Sequence, residues 1–157
     1  MTLKNILAFV ICLVIPLAVG ALSGYLTAGE VETWLPTLRK PSFYPPKEIF
    51  GPVWTTLYAL MGISLFIVWK SPDKWPRRKG LAVFFLQLFL NFSWSISFFN
   101  FHLLFFAIID ILILWGMILY MIDSFREIKP VAAWLNIPYL LWVSFATVLT
   151  IAIWKLN

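Results

Sequence analysis

Five uninterrupted apolar stretches leave this chain one class of fold. They run from Ile6 to Leu26, Phe50 to Trp69, Leu81 to Phe99, Leu103 to Ile122 and Val131 to Trp154. At a rise of about 1.5 Å per residue, each is long enough to cross the ~30 Å hydrocarbon layer of a bilayer. Inside that layer the backbone can bond only to itself, so a continuous apolar run must be helical. A strand of a membrane barrel would alternate with a period of two, and LAVFFLQLFL does not. Composition removes the other classes. Of 157 residues, 62% are hydrophobic and 12% charged, whereas a soluble domain needs about 25% charged residues to stay hydrated. A disordered chain would need still more charge and far less apolar content. The sequence therefore predicts an all-α membrane protein, a bundle of five transmembrane helices with a long ordered first loop, forming a single domain over residues 1–157.

The first run has Lys4 before it and small residues at Ala18–Gly20, features shared with secretory signal peptides. Pro16 and the apolar continuation to Leu26 favour a retained span. With five spans, the N-terminus and the second and fourth loops share one side and carry eight Lys and Arg, against four on the other. The positive-inside rule then puts the N-terminus in the cytoplasm and the first loop and C-terminus outside a cell membrane. The formal charge of +5 needs no nucleic acid to explain it, because anionic lipid headgroups are the natural partner of the basic second loop.

The first loop, read as roughly Thr27 to Ile49, holds Pro36, Pro41, Pro45 and Pro46 with Trp34, Phe43 and Tyr44 between them. Prolines restrict the loop and aromatics give it something to pack. It reads either as an ordered lid over the outer end of the bundle or as a connector lying in the interface. On the third span Gln87, Asn91, Ser95 and Phe98 fall on one helical face with Trp94 beside them. Such a stripe lines a pocket or merely bonds neighbouring helices, at about 0.6 kcal/mol per bond. Asp110 is the one charge well inside a span; it needs a partner, a proton or a wet cavity, with Asn91, Gln87 or a tryptophan N–H as candidate donors. Trp134, Pro138, Trp142 and Ala146 follow one another at four-residue intervals on the fifth span. Pro138 is expected to bend that helix, and the stripe is either packing or the side of a slot. Gly20 and Gly24 form one GxxxG pattern, a sign of close helix contact or dimerisation. Nine tryptophans exceed what two interfacial belts need, so some are expected to face inward.

Reaction chemistry has little to draw on. One histidine, His102, and one cysteine, Cys12, cannot supply a multi-His zinc site, a two-His haem site or a disulfide. No metal site is expected, and no nucleophilic triad, HExxH, Walker loop or GxGxxG occurs. His102 reads as an interfacial residue at a tight turn.

Three blocks resemble one family. Trp34 with LPTLRKPSFYPPKEIFGPVWTTLYALMG, then QLFLNFSWSISFF, then AAWLNIPYLLWVSFATVL with Asn157, are similar to the signatures of the TspO/MBR family. That family comprises the bacterial tryptophan-rich sensory proteins and the mitochondrial translocator protein, or peripheral-type benzodiazepine receptor. The resemblance implies a five-helix bundle, commonly a homodimer, with a cavity under the first loop that binds porphyrins and haem-type tetrapyrroles, and in some members benzodiazepine-site drugs and cholesterol. No obligatory cofactor is implied; the tetrapyrrole is the ligand. Carried over by position, the ligand-binding residues would be Trp34, Pro45, Trp54, Tyr58, Asn91, Trp94, Ser95, Phe98, Asp110, Trp142 and Ala146. Trp54 and Trp142 match the tryptophans proposed for light-dependent porphyrin breakdown, the only candidate catalytic residues. Two departures stand out. The segment Leu149 to Lys155 lacks the Tyr of the cholesterol motif, so sterol binding by that route is doubtful, and Leu35 stands where some members have a second aromatic. The functions to weigh are a tetrapyrrole receptor or sensor, a porphyrin-degrading enzyme, a transporter of tetrapyrroles or lipids, and a lipid-storing scaffold. Binding ranks above catalysis because no acid–base pair supports a reaction.

Overall fold

The computed structural model describes residues 2–72 and 74–157. Among these there is no strand, and five helical segments are long and apolar enough to cross a membrane. They are α1 (Leu3–Thr33), α2 (Lys47–Trp69), α3 (Trp75–Ser95), α4 (Leu104–Ile128), and a fifth span made of α5 (Pro130–Trp134) and α6 (Ile137–Leu156).

Two boundaries differ from the sequence expectation. Helix α1 continues through Thr33 instead of giving way to loop at Thr27, so the first loop shrinks to residues 34–46. Loss of hydropathy marks where the membrane ends; the α-helix itself runs on to Thr33 and, past Trp34, gives way to a short 3-10 turn over Leu35–Thr37 that holds Pro36. The fifth span breaks at Leu135–Asn136, not at Pro138. The Asn136 side chain is fully buried, donating to Ala132 O at 2.8 Å and to Ser64 Oγ at 2.7 Å. It competes with the helical ladder for a backbone carbonyl, while Pro138 falls in the first turn of α6, where its missing N–H costs nothing. Ser64 in turn donates to Ala132 O at 2.8 Å, tying α2 to α5.

Helix α4 packs along α3 on one side and along α5 and α6 on the other, while α1 lies mainly on α2. The core of the half remote from the first loop is built from Met61, Leu65 and Val68, Phe84, and Leu114, Ile118, Met121 and Phe125, each at most 1% exposed. Gly62 lets α1 approach: a Cβ there would stand 2.7 Å from Leu13 Cα and 2.9 Å from Cys12 O. The two glycines of the GxxxG pattern part company. Gly20 seats the Tyr58 ring where its own side chain would be, whereas Gly24 faces open space.

Past Ser95, helix α3 widens into one π-helical turn over Ile96–Asn100, in which the Phe101 N–H reaches Ile96 O at 3.1 Å. The tight turn that follows carries His102 at φ 56°. The first loop is fastened to the far end of the chain: Asn157 Oδ1 accepts from the Arg39 N–H at 2.9 Å, and Asn157 Nδ2 donates to Arg39 O at 3.0 Å.

Candidate functional site: a cavity beneath the first loop

A cavity of about 240 Å³ opens between α1, α2 and α3 under the first loop. Its floor is a directed chain of hydrogen bonds. The Tyr58 hydroxyl donates to Asn91 Oδ1 at 2.6 Å, Asn91 Nδ2 to the Tyr139 oxygen at 3.1 Å, and the Tyr139 hydroxyl to Gln87 Oε1 at 2.9 Å. Gln87 Nε2 ends the chain on Met61 Sδ at 3.8 Å. The polar stripe on α3 therefore has two jobs. Gln87 lies below the cavity and only braces the bundle, while Asn91 and Ser95 line it. Asn91 has used one N–H and one acceptor site, leaving one of each. On the α1 side, Ser23 Oγ donates to Ser95 Oγ at 2.8 Å, and Thr27 Oγ1 bonds back to Ser23 O at 2.9 Å.

The walls are aromatic. Trp54 stacks on Tyr58 with ring centroids 5.5 Å apart and planes 27° from parallel. Trp94 lines the cavity from α3, and its indole N–H has no acceptor among the described residues. Leu35, Tyr44 and Phe50 close the loop side. Burial pushes the Tyr44 phenol above its ordinary pKa, keeping it neutral. At the rim Lys47 Nζ lies 3.3 Å from Glu32 Oε1, an exposed pair worth little to stability. The lining thus joins flat apolar faces to a few fixed polar groups, the usual make-up of a small-molecule site.

Of the residues singled out from the sequence, Trp54, Tyr58, Asn91, Trp94 and Ser95 converge on this cavity. The others are placed elsewhere. Trp34 stacks on His102, centroids 4.0 Å apart at 14°, and meets Phe98 edge-on at 5.7 Å. His102 Nε2 also contacts Glu30 Oε2 at 2.9 Å, so this turn is buttressed by the end of α1. Phe98 is buried with Leu35, Ala107 and Ile153, behind the cavity wall. Pro45 is half-buried in the loop, between Tyr44 and Pro46. Asp110 takes its hydrogen bonds from Ser93 at 3.1 Å and Ser97 at 3.0 Å, on the seam between α3 and α4, not from Asn91, Gln87 or an indole. Ala146 is 7% exposed within the core. Trp142 lies in a separate open groove between α2 and α6 with Pro52, Pro138 and Phe145. Its nearest link to the cavity is Phe50, whose ring it meets edge-on at 5.8 Å. Trp134, at 72% exposed on the separate helix α5, takes no part in that groove, so the four-residue stripe forms no continuous slot.

Sequence reasoning missed the α1 wall. Gly20, Ser23, Gly24, Thr27 and Val31 all line the cavity, and their spacing puts small and hydroxyl side chains on one helical face. Of that face, only the GxxxG glycines stand out in the sequence. Tyr44, Lys47, Phe50, Gly51 and Phe99 also line it; their participation follows from loop folding and the π-turn, which periodicity does not report.

Comparison with known proteins is consistent across the chain. Residues 12–155 match the model of the TspO/MBR family. The chain is 41% identical over 154 residues to the tryptophan-rich protein TspO of Archaeoglobus fulgidus, covering 98% of this chain and 99% of that protein. It is 37% identical over 158 residues to the TspO protein of Chlorobaculum tepidum, covering 98% of each. It is also 35% identical over 131 residues to the translocator protein of Homo sapiens, covering 82% of this chain and 78% of that one.

Proposed function

This chain belongs to the TspO/MBR family of multi-pass membrane proteins, and from that premise we propose that it is a receptor or sensor for flat, largely apolar tetrapyrroles, with benzodiazepine-site drugs as further ligands of the same cavity. The observation that carries the reading is the pair of indoles, Trp54 and Trp94, that line the cavity together with the hydrogen-bonded Tyr58 and Asn91. A macrocycle stacks on such rings, while Asn91 and Ser95 meet its polar edge. At about 240 Å³, the cavity is smaller than the roughly 300–1,000 Å³ of typical ligand sites. The ligand therefore enters with displacement of the loop at residues 34–46. In this reading the N-terminus is cytoplasmic, the loop faces outward, and the working form is a homodimer.

Titration of protoporphyrin into the purified protein, followed by tryptophan fluorescence, tests the site. Gly24→Leu, which fills open space at the α1 wall, is expected to weaken quenching at least about ten-fold, the effect of losing roughly 1.4 kcal/mol of binding. Unchanged saturable binding would overturn the assignment. The second reading, light-driven porphyrin breakdown, has one supporting observation: Trp54 is in the cavity wall and Phe50 bridges the ligand space to Trp142. Product analysis of illuminated against dark complexes decides it, and a product yield no greater than that of free porphyrin removes it.

A further inference from the structure

At the end of the bundle opposite the cavity, a furrow of about 330 Å³ runs along α1, bounded by α2 and α3. Cys12 and Leu65 form its floor, at 4% and 1% exposed, and Leu7, Ile11 and Phe85 stand as exposed walls. From Lys4 to Ile15 it extends about 16 Å at the helical rise, close to the ~15 Å depth of one hydrocarbon leaflet. Apart from the Cys12 thiol, its polar lining residues are Lys4 and Trp69, each at the membrane-end turn of its helix.

That end is electropositive. Lys4 forms no ion pair among the described residues. Lys70 Nζ lies 5.6 Å from the Phe66 ring centre, and the Arg77 guanidinium 5.6 Å from that of Trp69 while bonding Ser71 O at 3.1 Å. An apolar trough of leaflet length with cations at its headgroup end complements one anionic lipid molecule in shape and charge.

We propose that this furrow is a specific site for an anionic phospholipid, its acyl chain lying along α1 over Cys12 and Leu65 and its phosphate held by Lys4 beside Trp69. The site is independent of the tetrapyrrole reading. It gives the loop-remote leaflet a lipid requirement that general solvation of the bundle would not.

Native mass spectrometry of the full chain in micelles, titrated with dioleoyl-phosphatidylglycerol or dioleoyl-phosphatidylcholine, tests it. Wild type is expected to retain one phosphatidylglycerol about five-fold more tightly than phosphatidylcholine, the worth of one lysine at a headgroup. Lys4→Gln, an exposed change that leaves the packing intact, is expected to erase that preference, and Ala8→Trp to abolish retention of both lipids. Lys155→Gln, at the other end of the bundle, is expected to change neither. Equal retention of the two lipids by wild type, or a preference that survives Lys4→Gln, overturns the proposal. So does a dimer that Ala8→Trp converts to monomer without loss of lipid, which would assign the furrow to a second copy.

Discussion

Helix α2 behaves in two ways along its length. From Met61 to Val68 its inward residues are locked among Phe84, Leu114, Ile118 and Phe125 with almost no exposed surface. From Phe50 to Tyr58 the same helix presents rings and a glycine to a cavity. The difference lies in what stands opposite. The remote half meets aliphatic and phenylalanine side chains that interdigitate, whereas the loop half meets Gly24, Ser23 and Ser95, which are too small to fill the space. Within lipid there is little hydrophobic gain between helices, so packing itself holds them together. The remote half fixes helix positions, and the loop half can then leave volume unfilled.

This contrast can be broken deliberately. Phe84→Ala, which removes a ring stacked on Phe125 at 6.2 Å and 9°, is expected to cost about 3 kcal/mol of stability, measured by denaturant unfolding in micelles. Porphyrin affinity of the molecules that remain folded should stay unchanged. Gly62→Ala should cost about 1–3 kcal/mol, because the added methyl meets α1 backbone, which cannot move aside as a side chain can. Tyr58→Phe takes the donor from Asn91 Oδ1 and is expected to cost about 1 kcal/mol; unlike the first two changes, it should also alter binding, which titration will show. Asn157→Ala, which frees the loop at Arg39, is expected to cost at most about 0.5 kcal/mol while raising amide hydrogen exchange at residues 38–40. Gly24→Leu should be the mildest for stability, within about 0.5 kcal/mol, and the most damaging to binding. If Phe84→Ala and Gly24→Leu affected stability and binding alike, the division of the bundle into two halves would be wrong.

How much of this could be read from the chain depended on what hydropathy measures. The five spans were legible because each is a long apolar run. The extension of α1 to Thr33 was not, since GEVET is polar yet still helical. The break at Asn136 was misplaced because proline is the obvious suspect, whereas the cause is a buried carboxamide whose partner, Ser64, lies 72 residues away. At the site, Trp54 and Asn91 were found through motif and stripe. Trp142, Asp110 and Ala146 match the family's cavity residues by position, yet α4 and α6, the helices that carry them, contribute no residue to the lining of this cavity. Of the nine tryptophans, Trp34, Trp54, Trp94 and Trp142 are half-buried, and the other five are exposed, so the surplus over the interfacial belts does turn inward.

The wide turn at Ile96–Asn100 acts as a phase shifter. An α-helix advances about 100° per residue, and the extra residue held in this turn is what lets Phe98 pack on Trp34 while its neighbour Phe99 reaches the cavity. Deleting Ser97 would change the chain length by one and leave every hydropathy plot intact. It would nonetheless swing the end of α3 by roughly a quarter-turn, so that the two phenylalanines could no longer hold both posts. In an alignment of relatives, a one-residue gap at this place should therefore be read as a change in the site, not as slack in a connecting turn.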